Sequence, residues 1–168
     1  VYTLLRPLMQ MVRATPVASF IILALVWLSG KNLSTFISFL MVLPVVYSGT
    51  YSGIMSTDEK LLEMAKVFRV TFWRRVQAVY LPAAMPAAMT ACELALGMAW
   101  KSGVAAEVIG LPQNTIGERL FQAKIFLMTA EVFAWTIGIT ALSWLFARLV
   151  IWLLRRMAAA VQRGTKHG

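Results

Sequence analysis

Charge is scarce in this sequence, and acidic charge scarcer still: 14% of the 168 residues are charged and only seven are Asp or Glu. An average soluble domain carries about a quarter charged residues. With 60% of its residues hydrophobic, the chain has too little polar surface to face water on every side, which excludes an ordinary water-soluble globular domain. Cysteine occurs once, at Cys92 in an apolar run, so neither a disulfide framework nor a cysteine-based metal cluster can form within the chain. Cys92 reads as a small buried residue. Histidine also occurs once; His167 stands in a polar tail with no acid or cysteine beside it and makes no metal site. No basic stretch followed by a cleavage site precedes the first apolar run, so no signal peptide is read. A nucleophile, base and acid set is missing, and Gly30-Lys31 is not a phosphate-binding loop, because Asn32 follows where Ser or Thr is needed. No catalytic residue, metal or cofactor is assigned, and any energy source must lie in another subunit.

What the sequence does have is long apolar runs. Residues 16–30 contain no charge, yet at 1.5 Å per residue they reach roughly 22 Å, short of the ~30 Å hydrocarbon core of a bilayer. Residues 32–54 are uncharged, with Pro44 expected to kink the helix unless neighbours satisfy the freed carbonyl. Residues 83–109 hold Glu93, Lys101 and Glu107, so this span must face protein or water on at least one side. Residues 129–154 are apolar apart from Glu131 and Arg148, with Trp135, Trp144 and Trp152 suited to interfacial or packing positions. The fold class expected is all-α, a polytopic integral membrane protein with four spans in a single domain over 1–168.

The net charge of +9 then sorts by position. Arg6 and Arg13 precede the first span; Lys60, Lys66, Arg69, Arg74 and Arg75 lie between the second and third; Arg148, Arg155, Arg156, Arg163 and Lys166 lie at or after the end of the fourth. These are twelve of the sixteen basic residues. With four spans they fall on one side, which the positive-inside rule makes the cytoplasm. Lys31, Arg119 and Lys124 fall on the other side, and no interleaving of aromatic and basic residues argues for nucleic acid.

Residues 56–82, STDEKLLEMAKVFRVTFWRRVQAVYLP, are the least membrane-like internal stretch. Ser56 and Glu59 have capping-box spacing, and Asp58 and Glu59 suit a helix N-terminus. Leu61, Leu62, Ala65 and Phe68 then recur at helical spacing, and Phe72, Trp73 and Val76 make a second apolar stripe beside Arg74 and Arg75. Val70 and Thr71 weaken the helix between them, and Leu81-Pro82 is expected to close the second helix. Two short amphipathic helices result, suited to a partner's groove or, on the bland reading, to lying on lipid.

This segment resembles the signature of the membrane subunits of binding-protein-dependent ABC importers: E-A-A, three residues, G, nine residues, I-x-L-P. Glu63, Met64 and Ala65 match its start with one substitution, Arg69 stands where the glycine is expected, Val79 replaces isoleucine, and Leu81 and Pro82 match. The resemblance extends over nearly the whole chain. P-L-M-Q-M-V-R-A-T-P from residue 7, V-W-L-S-G ending at Gly30, and L-P-V-V-Y-S-G-T-Y-S-G from residue 43 look like the nitrate, sulfonate and taurine branch, with Trp27 and Gly30 at the ends of its W-F-G-like motif. G-M-A-W-K-S-G-V-A-A-E-V at 97–108 is similar to the segment that follows in that branch, with Trp100 and Glu107 in place, and L-P-Q-N-T-I-G stands where G-L-G-x-x-I is usual.

The resemblance implies a type I importer-like (MetI-like) transmembrane helix bundle in the bacterial cytoplasmic (inner) membrane, the permease subunit of an ATP-driven importer. Members carry additional N-terminal spans, so the chain is expected to be the C-terminal part of a longer permease. Partners implied are cytoplasmic ATPase subunits carrying ATP and Mg, a second permease copy as a homodimer, and an extracytoplasmic substrate-binding protein. The ATPases would dock on the coupling segment 56–82, with Glu63 as polar contact, Leu61, Ala65, Phe68 and Trp73 as packing, and Arg69, Leu81 and Pro82 completing the motif. The expected substrate is a small anion such as nitrate, sulfonate or taurine; alternatives are a vitamin precursor such as a pyrimidine, or a non-transport membrane assembly subunit. Glu93, Lys101 and Glu107, with Trp100, either border the translocation path or form ion pairs within the bundle. Glu93 and Lys101 lie about 12 Å apart along a helix, which argues against direct pairing. Gly49-T-Y-S-Gly53 is a GxxxG match for close helix approach, either within one subunit or at a dimer seam.

Overall fold

The computed structural model describes residues 2–28 and 30–165. Lys166 and His167 lie outside the described residues, as do the side chains of Lys31 and Arg163. In chain order the helices are α1 Tyr2–Ala14, α2 Val17–Leu25, α3 Gly30–Met55, α4 Glu59–Val67 and α5 Phe72–Arg75; a π-helical turn Val76–Tyr80 leads into α6 Leu81–Gly110, followed by α7 Ile116–Ile125 and α8 Thr129–Thr165. No strand occurs among the described residues.

Among the described residues three helices are long and apolar enough to cross a membrane: Asn32–Met55, Phe72–Gly110 and Thr129–Arg156. Residues 16–30 take another form. Pro16 drives Thr15 out of the helical region, Thr15 Oγ1 donates back to Met11 O at 2.8 Å, and the chain bends by 98° between Leu5–Ala14 and Val17–Leu25. Helix α2 alone, nine residues long, covers about 13 Å; it reaches membrane length only with α1, as one bent pair. The basic residues in and just after α4 and those late in α8 are separated along the chain by two membrane-length helices.

The expected helix end at Leu81-Pro82 is not observed. Helix continues from Phe72 through to Gly110, and the reason precedes the proline. In an α-helix the Pro82 ring would strike the carbonyl of Ala78, four residues back. Here the wider π turn, in which the Leu81 N–H reaches Val76 O, re-aims those carbonyls before the ring arrives. Pro44 likewise sits inside α3, fully buried, with the Arg13 guanidinium donating to its carbonyl at 2.8 Å.

The chain divides into two compact units, one formed by residues 1–44 and 95–147, the other by 45–94 and 148–168. In the first, Ile21 and Ala24 of α2 meet Leu33, Ile37 and Met41 of α3, a ridge at four-residue spacing, and Ala106 of α6. In the second, α3 approaches α6 through glycine. A Cβ on Gly49 would come 2.3 Å from Ala91 Cβ, and one on Gly53 would come 2.9 Å from both Ala84 O and Ala87 Cβ. The GxxxG pair therefore seats α3 on the Ala84, Ala87 and Ala91 face of α6 within one chain, the first of its two readings.

Candidate coupling segment and polar clefts

Helix α4 begins two residues beyond the point that capping-box spacing suggests. Because α3 runs to Met55, the Ser56 hydroxyl donates back to Gly53 O at 2.9 Å and cannot cap the next helix. Asp58 takes that role, its Oδ1 accepting from the Lys60 N–H at 2.9 Å, with Glu59 in the first turn where the helix dipole favours it.

The end of α4 explains Arg69. The Arg69 N–H donates to Lys66 O at 3.1 Å and the Val70 N–H to Ala65 O at 2.9 Å, the paired bonds of a Schellman motif. That motif needs its C′ residue in the left-handed region, and Arg69 has φ 48°. The position of the signature glycine is thus a left-handed turn, and arginine adopts it at the steric cost glycine avoids. Thr71 and α5 follow directly.

Of the predicted packing residues, Ala65 is 6% exposed and covered by its own chain, whereas Leu61, Phe68 (73%) and Trp73 (72%) are exposed. Met64, Val67 (77%) and Phe72 join them at the surface, and Phe72 and Trp73 stack edge-on at 5.9 Å. Glu63 and Arg69 are exposed among them; Leu81 is exposed and Pro82 half-buried inside the continuous helix. The expected single face of Leu61, Leu62, Ala65 and Phe68 is therefore split: Ala65 anchors inward with Leu62 half-buried, while Leu61 and Phe68 are exposed.

The intramembrane charges also separate. Glu93 Oε1 accepts from Arg155 Nη2 of α8 at 3.0 Å. Glu107 Oε2 accepts from the Gly117 N–H at 3.0 Å, fixing the first turn of α7. Lys101 is exposed and has no hydrogen-bond or ion-pair partner among the described residues, Glu93 included.

Two clefts flank Trp100. One, about 240 Å³, is lined by Ser34, Ser38, Trp100, Gly103, Glu107 and Phe146 among others. Ser34 Oγ donates to Gly103 O at 3.2 Å and Ser38 Oγ to Ala99 O at 2.9 Å, and the Trp100 ring lies 6.1 Å from that of Phe146. The other, about 480 Å³, shares Trp100 and Val104 and adds Lys101, Thr140, Ser143 and Trp144. The Trp100 Nε1–H is buried and has no acceptor. Sequence reasoning passed over Ser34 and Ser38, four apart, and Thr140 and Ser143, three apart; small hydroxyls at helical spacing in otherwise apolar spans were the available signal. Among the described residues no group of three or more His, Cys, Asp or Glu could hold a metal ion.

An all-helical chain with three membrane-length helices, an amphipathic two-helix segment and a left-handed turn at the signature glycine's place fits one class. Residues 1–163 match the profile of the binding-protein-dependent transport system inner membrane component family, and the chain belongs to that family as an integral component of the inner membrane. It is 33% identical over 133 residues to a putative aliphatic sulfonates transport permease protein of Bacillus subtilis, covering 77% of this chain and 47% of that protein. The protein so described in Escherichia coli is 32% identical over 124 residues, 73% of this chain and 47% of its own length. A bicarbonate transport system permease protein of Synechococcus elongatus is 26% identical over 153 residues, 90% and 55%. These relatives are named as permeases of transport systems, none as an enzyme. The chain spans about half the length of the curated relatives it matches.

Proposed function

We propose that this chain is the path-forming and ATPase-coupled part of an ABC importer permease, and that its cargo is a small oxyanion. The observation that carries the coupling reading is the apolar surface of Met64, Val67, Phe68, Phe72 and Trp73, exposed among the segment's basic residues and held in place by the Arg69 turn. Large apolar side chains beside Glu63, Arg74 and Arg75 have the make-up of a groove-binding helix pair. ATP and Mg would be held by the ATPase subunits; a second permease copy would close the path, and an extracytoplasmic binding protein would deliver the cargo. Closure of the ATPase pair would move α4 and α5 and switch the path between faces by rigid-body motion. The oxyanion rests on the relatives named for sulfonates and bicarbonate.

Because Ala65 is covered by its own chain, an aspartate there would disturb α4 itself; the exposed positions make the cleaner test. In the full-length permease, Phe68→Asp and Glu63→Arg are expected to lower co-purification of the ATPase subunit about tenfold with the amount of permease in the membrane unchanged. Full retention of the ATPase by both variants would overturn the coupling reading.

A further inference from the structure

Resting on the oxyanion reading above, we infer that Lys101 and Ser143 form an oxyanion-recognition point on the translocation path, in the cleft that α6 and α8 line with Trp100 and Trp144. Lys101 stands nine residues before Gly110, the last residue of α6, and so about 13 Å along the helix from that end, well inside a ~30 Å hydrocarbon core. An ammonium at that depth is costly and is retained where it is paired or faces an aqueous cavity. The other two charges of α6 are engaged: Glu93 with Arg155 and Glu107 with the Gly117 N–H. Lys101 has no such partner, and the cleft it lines contains no carboxylate.

One more donor lines this cleft without an acceptor: the Ser143 hydroxyl makes no hydrogen bond among the described residues. The Thr140 hydroxyl is already spent on Thr136 O at 2.8 Å, and the Trp100 Nε1–H is sealed from solvent, so Lys101 and Ser143 are the donors that carry the site. A lining of donors with one positive charge and no acidic group selects a ligand made of acceptors with a single negative charge, because each oxygen then gains a charge-assisted or neutral hydrogen bond. A neutral ligand would leave the ammonium uncompensated, and one bearing several donors would leave most of them unpaired, since the Ser143 oxygen can accept from only one or two. The pattern fits a sulfonate, bicarbonate or nitrate group. The cleft's volume, about 480 Å³, admits it with a short organic substituent.

The test uses proteoliposomes containing the full-length permease, its ATPase subunits and its binding protein, with ethanesulfonate, bicarbonate and nitrate as probes. If the unaltered transporter takes up none of the three, the oxyanion reading itself fails, and this inference with it. If it takes up one, Lys101→Gln is expected to cut that uptake at least tenfold while still co-purifying with the ATPase, and Lys101→Arg to keep at least a third. Uptake by Lys101→Gln within twofold of the original overturns the recognition point and leaves the oxyanion reading standing. Should Lys101→Gln not reach the membrane, Ser143→Ala decides: a three- to tenfold loss of uptake supports the inference, and uptake within twofold overturns it.

Discussion

Two short helices, α4 and α7, end alike and begin differently. At the exit of α7 the Leu127 N–H donates to Lys124 O at 3.1 Å and the Met128 N–H to Ala123 O at 2.9 Å, and Leu127 has φ 54°. This is the Schellman pattern found at Arg69, again with a residue that is not glycine. The entries diverge. Thr115 caps α7 by accepting from the Glu118 N–H at 3.3 Å, and Glu118 reaches back to the Asn114 N–H at 2.7 Å. Glu107 binds the Gly117 N–H from α6, and Gly117 and Ala123 are buried. Helix α4 has the Asp58 cap and a single buried residue, Ala65. One connection is fastened by its own chain, while the other displays its apolar side chains and leaves the fastening to something else.

Breaking the α7 side of this comparison should produce the largest effect. A Cβ at Gly117 would lie 2.3 Å from Glu107 Cβ and 2.7 Å from Val108 N, so Gly117→Ala must push backbone apart and is expected to cost about 3 kcal/mol, read as a lower unfolding midpoint in detergent. Glu107→Gln keeps the shape but weakens the bond to Gly117 by removing its charge. A loss of about 1.5 kcal/mol is expected, with faster amide exchange confined to the start of α7; uniform acceleration would mean that Glu107 acts elsewhere. Phe68→Asp on α4 should leave the unfolding midpoint within about 0.5 kcal/mol, since an exposed substitution removes no packing, while ATPase retention falls. A drop in stability equal to that of Gly117→Ala would erase the contrast. The smallest effects are at the two turns: Arg69→Gly and Leu127→Gly should each slow exchange of the following amide by the equivalent of about 0.5–1 kcal/mol, by relieving the left-handed conformation. A gain at Leu127 without one at Arg69 would show that the arginine side chain makes compensating contacts.

Particular residues show how far the sequence could be read. The uncharged run 32–54 became α3 within a residue or two of its ends, and the signature spacing located α4, the turn and α5. Local rules failed where a neighbouring segment intervened. Ser56 had capping spacing but belonged to the helix before it. Pro82 had the context of a helix stop, yet a π turn one step earlier carried the helix through. Glu93, Lys101 and Glu107 were legible as unusual charges inside a span, but not which of them would be paired, because Arg155 and Gly117 come from segments 62 and 10 residues away.

By itself the sequence determined that this protein is helical, membrane-embedded and a member of the binding-protein-dependent transport family, since burial of apolar runs, exclusion of charge from lipid and the signature's spacing act along the chain. Tertiary structure alone decided the rest. It chose which charge stays free and which face of α4 looks outward, since each depends on groups that are distant in sequence and become neighbours only when the helices pack.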